Sequence, residues 1–191
     1  MIIYIHGFNS SPASFKANLL RQKLESMGRG AEFSAPALPH RPSAAIKVLE
    51  AEVARHPGAV LVGSSLGGYY ATWLAEKHAL KVVLVNPAVR PYELLRGELG
   101  MQRNFHTGEE YEFTPGHLAE LEALEVPAIT RPERYFLMVR TGDELLDYRE
   151  AVGRYRGCRQ LVLEDGDHAF SDFESYLDLV LEISGIISPQ P

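Results

Sequence analysis

Short, almost unbroken apolar runs recur along the whole chain and limit its fold more than any other feature. They are Ile2 to Ile5, Val60-Leu61-Val62, Val82 to Val85, Tyr135 to Val139 and Leu161-Val162-Leu163, with Glu32 to Ala37 a weaker sixth. A strand with one wet face alternates apolar and polar residues, whereas a strand covered on both faces need not. Runs without alternation therefore predict strands of a parallel sheet with helices on either side.

Helical patterns fill the intervals. Ser11-Pro12 supplies an N-cap and a first-turn proline, Phe15, Leu19, Leu20, Leu24 and Met27 follow at helical spacing, and Gly28 marks the stop. Pro42 to Arg55 repeats this form, with Ile46, Leu49 and Val53 on one face, and Tyr69 to Lys77 reads as a third helix. Ser171 and Glu174 have capping-box spacing ahead of an apolar stripe of Phe173, Leu177, Val180 and Leu181. Strand and helix alternate, which predicts an α/β fold with right-handed crossovers. The 191 residues, 46% hydrophobic and 23% charged, suit one globular domain spanning 1–191.

Residues 88–133 break the rhythm. They contain no convincing strand: a helix is expected near Tyr92 to Leu99, a polar Gly-containing stretch from Asn104 to Glu112, and a helix from His117 to Leu124. The segment reads as an insertion, either a plain connection or a lid that shapes a binding site. The tail Ser188-Pro189-Gln190-Pro191 is expected to be loose.

Composition excludes several classes. The formal charge is −6, from 25 acidic and 19 basic residues, and no basic cluster is present, so nucleic acid is not an expected partner. Cys158 is the single cysteine, which rules out an internal disulfide framework and a Cys-based zinc site and fits the cytoplasm. Met1 to Gly7 lacks the basic n-region of a signal peptide. His56 to Ala75 carries no Asp, Glu, Lys or Arg, but Pro57, Gly58, Gly63, Gly67 and Gly68 punctuate it as a strand and a turn rather than a membrane span.

The sharpest motif is Gly63-Ser64-Ser65-Leu66-Gly67-Gly68, a G-x-S-x-G with Ser65 at its centre. The pattern alone is weak. Its setting, a strand leading in and a helix leading out, is that of a nucleophile elbow, in which Gly63 and Gly67 let strand and helix approach. The bland alternative is a Gly-rich turn with a capping serine. A serine nucleophile needs a base and a group to orient that base, and elbow hydrolases carry them in the chain order Ser, acid, His. Asp143 follows the fourth strong run and His168 the fifth, so all three candidates stand at C-terminal strand ends, where open α/β sheets bind ligands. Glu144 and Asp147 rival Asp143, but they suit the opening of the next helix, where acidic residues are favoured. Asp165 and Asp167 are assigned to the turn of His168. The oxyanion donors are expected to be the N–H groups of Leu66 and of Phe8, in the loop His6-Gly7-Phe8-Asn9 after the first strand.

Other chemistries find no support in the sequence. There is no P-loop, no G-x-G-x-x-G, and no metal spacing among His6, His106, His117 and His168. Cys158 lacks a paired base and reads as structural or incidental. No cofactor or metal is called for.

The chain resembles the YqiA-type esterases, small bacterial members of the α/β-hydrolase superfamily. The blocks that carry the resemblance are Tyr4-Ile5-His6-Gly7-Phe8-Asn9-Ser10-Ser11-Pro12, the run from Gly63 to Leu74, Asn86 to Pro91, Thr141-Gly142-Asp143-Glu144 with Leu146-Asp147-Tyr148, and Asp167-His168-Ala169-Phe170. They span nearly the full length in order; residues 101–127 match less clearly. The resemblance implies Ser65 as nucleophile, Asp143 as acid and His168 as base, and activity on carboxylic esters, with acyl-CoA thioesters among the candidates. The expected fold is a reduced α/β hydrolase, with about six parallel strands, helices on both faces and a cap-like insertion at 88–133. The expected partner is a small ester or thioester; the sequence assigns no oligomeric state. Amide cleavage or acyl transfer by the same triad, and a non-catalytic binding module on this scaffold, stay open as alternatives.

Overall fold

The structure, a computed structural model, describes residues 1–188; the expectation of a loose tail at 189–191 lies outside the described residues. Six parallel strands form one sheet: β1 (Ile2–Ile5), β2 (Phe33–Ser34), β3 (Val60–Ser64), β4 (Val82–Val85), β7 (Tyr135–Arg140) and β8 (Arg159–Leu163), in the order β2-β1-β3-β4-β7-β8. Strands β5 (Gly100–Arg103) and β6 (Glu110–Phe113) pair separately as an antiparallel hairpin. The helices are α1 (Phe15–Ser26), α2 (Pro42–Arg55), α3 (Leu66–His78), α4 (Pro91–Leu94), α5 (Pro115–Glu122), α6 (Tyr148–Arg154) and α7 (Leu177–Ile183).

The unbroken apolar runs have the cause read from them. Side chains alternate across each strand, and both faces of the four central strands β1, β3, β4 and β7 are covered, whereas the run in edge strand β8 is not, with Val162 43% exposed. Ile3, Ile5, Leu61, Leu84 and Leu137 enter one core with α2, α3 and α6. Ile2, Tyr4, Val62, Val83, Phe136 and Met138 enter the other with α1 and α7. In-register pairing of β1 with β3, β3 with β4 and β4 with β7 brings the C-terminal ends of the central strands to one edge.

Several boundaries differ from expectation. Ser11-Pro12 does not open α1. The Ser11 hydroxyl accepts from Ala13 N and its carbonyl from Ser14 N, forming a turn, and the helix begins at Phe15. Its buried face is Lys16, Ala17, Leu20 and Leu24, leaving Phe15 51% exposed. Ser171 and Glu174 form no capping box. Asp167 takes both the N–H and the hydroxyl of Ser171, and a 3-10 turn (Phe173–Tyr176) leads into α7. The stripe Phe173, Leu177, Val180 and Leu181 is buried as expected.

The larger correction concerns 88–133, which does contain strands. Strand β6 alternates exposed Glu110 and Glu112 with buried Tyr111 and Phe113, the pattern of a ribbon with one wet face, not the continuous run of a sheet interior. The turn between β5 and β6 is closed by the Asn104 side chain, which accepts from His106 N and Thr107 N. Tyr111, Phe113 and Leu121 dock this insertion onto the α2–α3 side of the core.

Candidate active site

Ser65, Asp143 and His168 converge at the C-terminal edge of the sheet. Ser65 is the single residue between the end of β3 at Ser64 and the start of α3 at Leu66, so the chain reverses at that one residue. The reversal puts Ser65 at φ 55° and ψ −122°, a region L-residues avoid. Close approach makes it attainable. A Cβ on Gly63 would lie 2.5 Å from the Gly67 carbonyl oxygen, and one on Gly67 would collide with the Ile5 carbonyl. The Ser65 carbonyl is tied down by the N–H groups of Gly68 (2.9 Å) and Ala88 (3.1 Å).

His168 Nε2 lies 3.1 Å from Ser65 Oγ, and its Nδ1 lies 2.8 Å from Asp143 Oδ2. Asp143, 2% exposed at its side chain, accepts from Leu145 N (2.9 Å) and Leu146 N (2.8 Å) through its other oxygen. Its carboxylate is therefore fixed by its own turn before it meets the imidazole. The expected rivals have other places. Asp147 caps α6 by accepting from Arg149 N, as anticipated. Glu144 does not open the helix; its carboxylate accepts the His168 backbone N–H at 2.9 Å.

The loop carrying His168 is held by residues the sequence reading did not single out for this. Asn86, 2% exposed and at φ 41° just past β4, donates to the carbonyls of Asp167 and His168 (3.1 Å each) and accepts from Arg140 N. Arg140 underlies the same loop. It pairs with Asp172, donates to the Glu164 carbonyl and lies over the Phe170 and Tyr176 rings. A buried asparagine at the end of a strand was the one readable signal for this support, since burial demands partners.

The first loop sits opposite. The Phe8 and Leu66 N–H groups have no acceptor among the described residues, and both residues line the cavity that holds Ser65. His6 Nε2 accepts from Leu38 N (3.3 Å), so its proton is on Nδ1, which donates to the Gly7 carbonyl (3.1 Å). Burial lowers the His6 pKa, keeping this neutral tautomer. The carbonyl of Gly7 and the N–H of Phe8 point to opposite sides of one planar peptide, so the grip on Gly7 aims the Phe8 N–H. The insertion braces the same loop: Tyr111 Oη donates to Asn9 Oδ1 (2.6 Å), Asn9 Nδ2 to Gln102, Phe105 N to the Asn9 carbonyl, and Asn104 Nδ2 to the Ser10 carbonyl.

The cavity measures about 550 Å³. Leu94, Leu95, Pro91, Phe105, Leu145 and Leu146 make it largely apolar, and Phe105 (82% exposed) and Leu145 (66%) stand at its rim. Cys158 is remote from it, and burial pushes its thiol up to about 11. No three His, Cys, Asp or Glu side chains converge to hold a metal among the described residues, and no helix there is long and apolar enough to cross a membrane.

The six-stranded parallel sheet with a sharp strand–serine–helix turn is the α/β-hydrolase fold. Solved structures of that fold superpose over nearly the whole chain. The alpha/beta hydrolase domain-containing protein 10 from mouse gives a TM-score of 0.67 at 17% identity, covering 95% of this chain and 89% of its own. The esterase domain of a Rhodothermus marinus protein gives 0.62 at 18%, covering 94% and 83%. The chain matches the family described as "Uncharacterised protein family (UPF0227)" over residues 1–184, and it belongs to that family. A UPF0227 protein of Vibrio cholerae is 28% identical over 181 residues, which cover 93% of this chain and 95% of that protein.

Proposed function

We propose that the protein is a serine esterase that hydrolyses carboxylic esters, with acyl thioesters such as acyl-CoA within the same chemistry. The supporting observation is the unbroken relay from Ser65 Oγ through both nitrogens of His168 to Asp143, at 3.1 and 2.8 Å. His168 Nε2 takes the Ser65 proton as Oγ bonds to the carbonyl carbon. The Phe8 and Leu66 N–H groups receive the charge gathering on the carbonyl oxygen. Collapse breaks the bond to the alcohol or thiol, which leaves with the proton from His168. Water then gives a proton to His168 and attacks the acyl carbon; the acid departs and Ser65 regains its proton. Asp143 holds the imidazole with Nδ1–H towards it and stabilises the cation formed in each half.

Ser65→Ala is expected to lower kcat on a p-nitrophenyl ester by roughly a thousandfold or more, with an unchanged circular dichroism spectrum. Turnover at the parent rate would refute the assignment. Labelling of the parent, but not of Ser65→Ala, by a fluorophosphonate separates this reading from a non-catalytic module.

A further inference from the structure

Lys16, Glu52 and Arg140 are the described charged residues buried as whole residues, beside Asp143, whose side chain alone is buried and is held by His168 and its own turn. Glu52 pairs with Arg55 and Arg140 with Asp172. Lys16, 9% exposed, has no carboxylate at ion-pair distance; the Ala169 carbonyl, 2.5 Å from Nζ, is its one hydrogen-bond acceptor. Lysines are seldom buried without a partner. Lys16 also occupies the first turn of α1, where free N–H groups and the helix dipole oppose a cation. Two unfavourable choices at one position point to a use for the charge.

The site around it indicates that use. Lys16 lines the cavity that contains Ser65 and His168, together with Tyr4, Ser14 and Ser64. An ammonium carries three N–H donors, and one is taken. The Ser14 hydroxyl is buried with no hydrogen-bond partner. Burial pushes the Tyr4 phenol up to about 12 against the opposing pull of the neighbouring Ser14 and Ser64 hydroxyls, so it stays protonated. Burial also draws Lys16 down to about 8 while Asp167 and Asp143 oppose the fall, and the group remains mostly charged at neutral pH. Those carboxylates are engaged elsewhere, Asp143 with His168 and its own turn, Asp167 with Ser171. The cavity is thus lined by the apolar Leu94, Leu95 and Leu146, by a cation and hydroxyl donors and by the reacting groups, and the one acidic side chain in its lining, Glu98, is exposed to solvent.

We infer that Lys16, with Tyr4 and Ser14, forms a subsite for a carboxylate on the substrate, so that the enzyme selects esters bearing a free carboxylate over neutral esters of the same shape. This rests on the serine-esterase reading. The carboxylate could belong to the acyl part or to the alcohol part, and two substrate pairs distinguish them. The first compares mono-p-nitrophenyl glutarate with p-nitrophenyl 5-methylhexanoate; the second compares butyryl glycolate with isobutyl butyrate. In at least one pair the parent should favour the carboxylate ester by about tenfold or more in kcat/KM, the size of a charge-assisted hydrogen bond. Lys16→Met should bring that ratio close to one, and Lys16→Arg should retain part of it. A lysine that merely straps the Ala169 carbonyl would lower both members of a pair together and leave the ratio intact. A parent ratio near one in both pairs, or a ratio untouched by Lys16→Met, overturns the inference. Should Lys16→Met not fold, Ser14→Ala replaces it and should cut the ratio several-fold; no change counts against the subsite. Calorimetry of glutarate binding to Ser65→Ala, with and without Lys16→Met, tests the subsite independently of turnover. Binding weakened by about tenfold supports it, and equal binding overturns it even if Ser65 proves not to be the nucleophile.

Discussion

Ser65 holds an unfavourable backbone conformation, of a kind that costs about 1–3 kcal/mol, because the residues around it leave no alternative. Gly67 is central to that constraint. An alanine there would drive its Cβ into the Ile5 carbonyl, at the root of the first loop. Gly67→Ala should therefore cost about 3 kcal/mol or more, read as a fall in the urea midpoint. Gly97→Ala, where a Cβ would meet nothing within 4 Å, should stay within about 0.5 kcal/mol of the parent. Equal effects from the two would show that the elbow is not sterically determined. The convergence of Ser65, Asp143 and His168 was legible in the sequence because each lies within a few residues of the end of an apolar run, and a parallel sheet brings such ends together. Lys16 and Glu144 were not, and Asn86 showed only as a polar residue closing an apolar run. Each acts on a carbonyl or N–H group far along the chain, 153 residues away for Lys16, and no local spacing reports such a partner.

At the scale of elements, the four central strands of the main sheet were legible because burial on both faces leaves a composition signal that needs no register. The β5–β6 hairpin was missed because four-residue strands rich in Gln, Arg and Glu carry only a brief alternation. The insertion is joined to the sheet domain in part through α5. Glu120 accepts from Arg41 Nε (2.8 Å) and from Ser43 N (3.0 Å) at the start of α2. Partial burial works to raise its pKa, but these bonds prevail and hold the carboxyl down at about 2. A carboxyl depressed in the folded state stabilises above its unfolded pKa, near 4.5, and loses that contribution as pH falls towards 2. Glu120→Gln should therefore be less stable than the parent by about 1 kcal/mol at pH 7. The difference should shrink between pH 4.5 and 2. A gap independent of pH would mean that the carboxylate's charge is not what joins α5 to α2.

For the molecule as a whole, the insertion does more than cover a cavity. Its hairpin supplies Gln102, Asn104, Phe105 and Tyr111, each bonded to the loop that presents the Phe8 N–H. Asn9, at φ 52° and 7% exposed, is where that loop and the hairpin meet, and both ends of its amide are committed to the hairpin. On the serine-esterase reading, a segment expected to shape the pocket would also set the geometry in which charge on the substrate oxygen is met. A lid that only admits substrate would alter KM when perturbed; a brace for transition-state donors alters kcat. Tyr111→Phe separates the two, since it removes one buried hydroxyl and little volume. It should destabilise the fold by about 1–2 kcal/mol through the unpaired Asn9 oxygen. On a neutral p-nitrophenyl ester it should lower kcat by about tenfold with KM nearly unchanged. If KM rises while kcat holds, the hairpin acts as a lid alone. If only stability falls, Asn9 does not transmit the position of the hairpin to the Phe8 N–H, and His6 is sufficient to aim it.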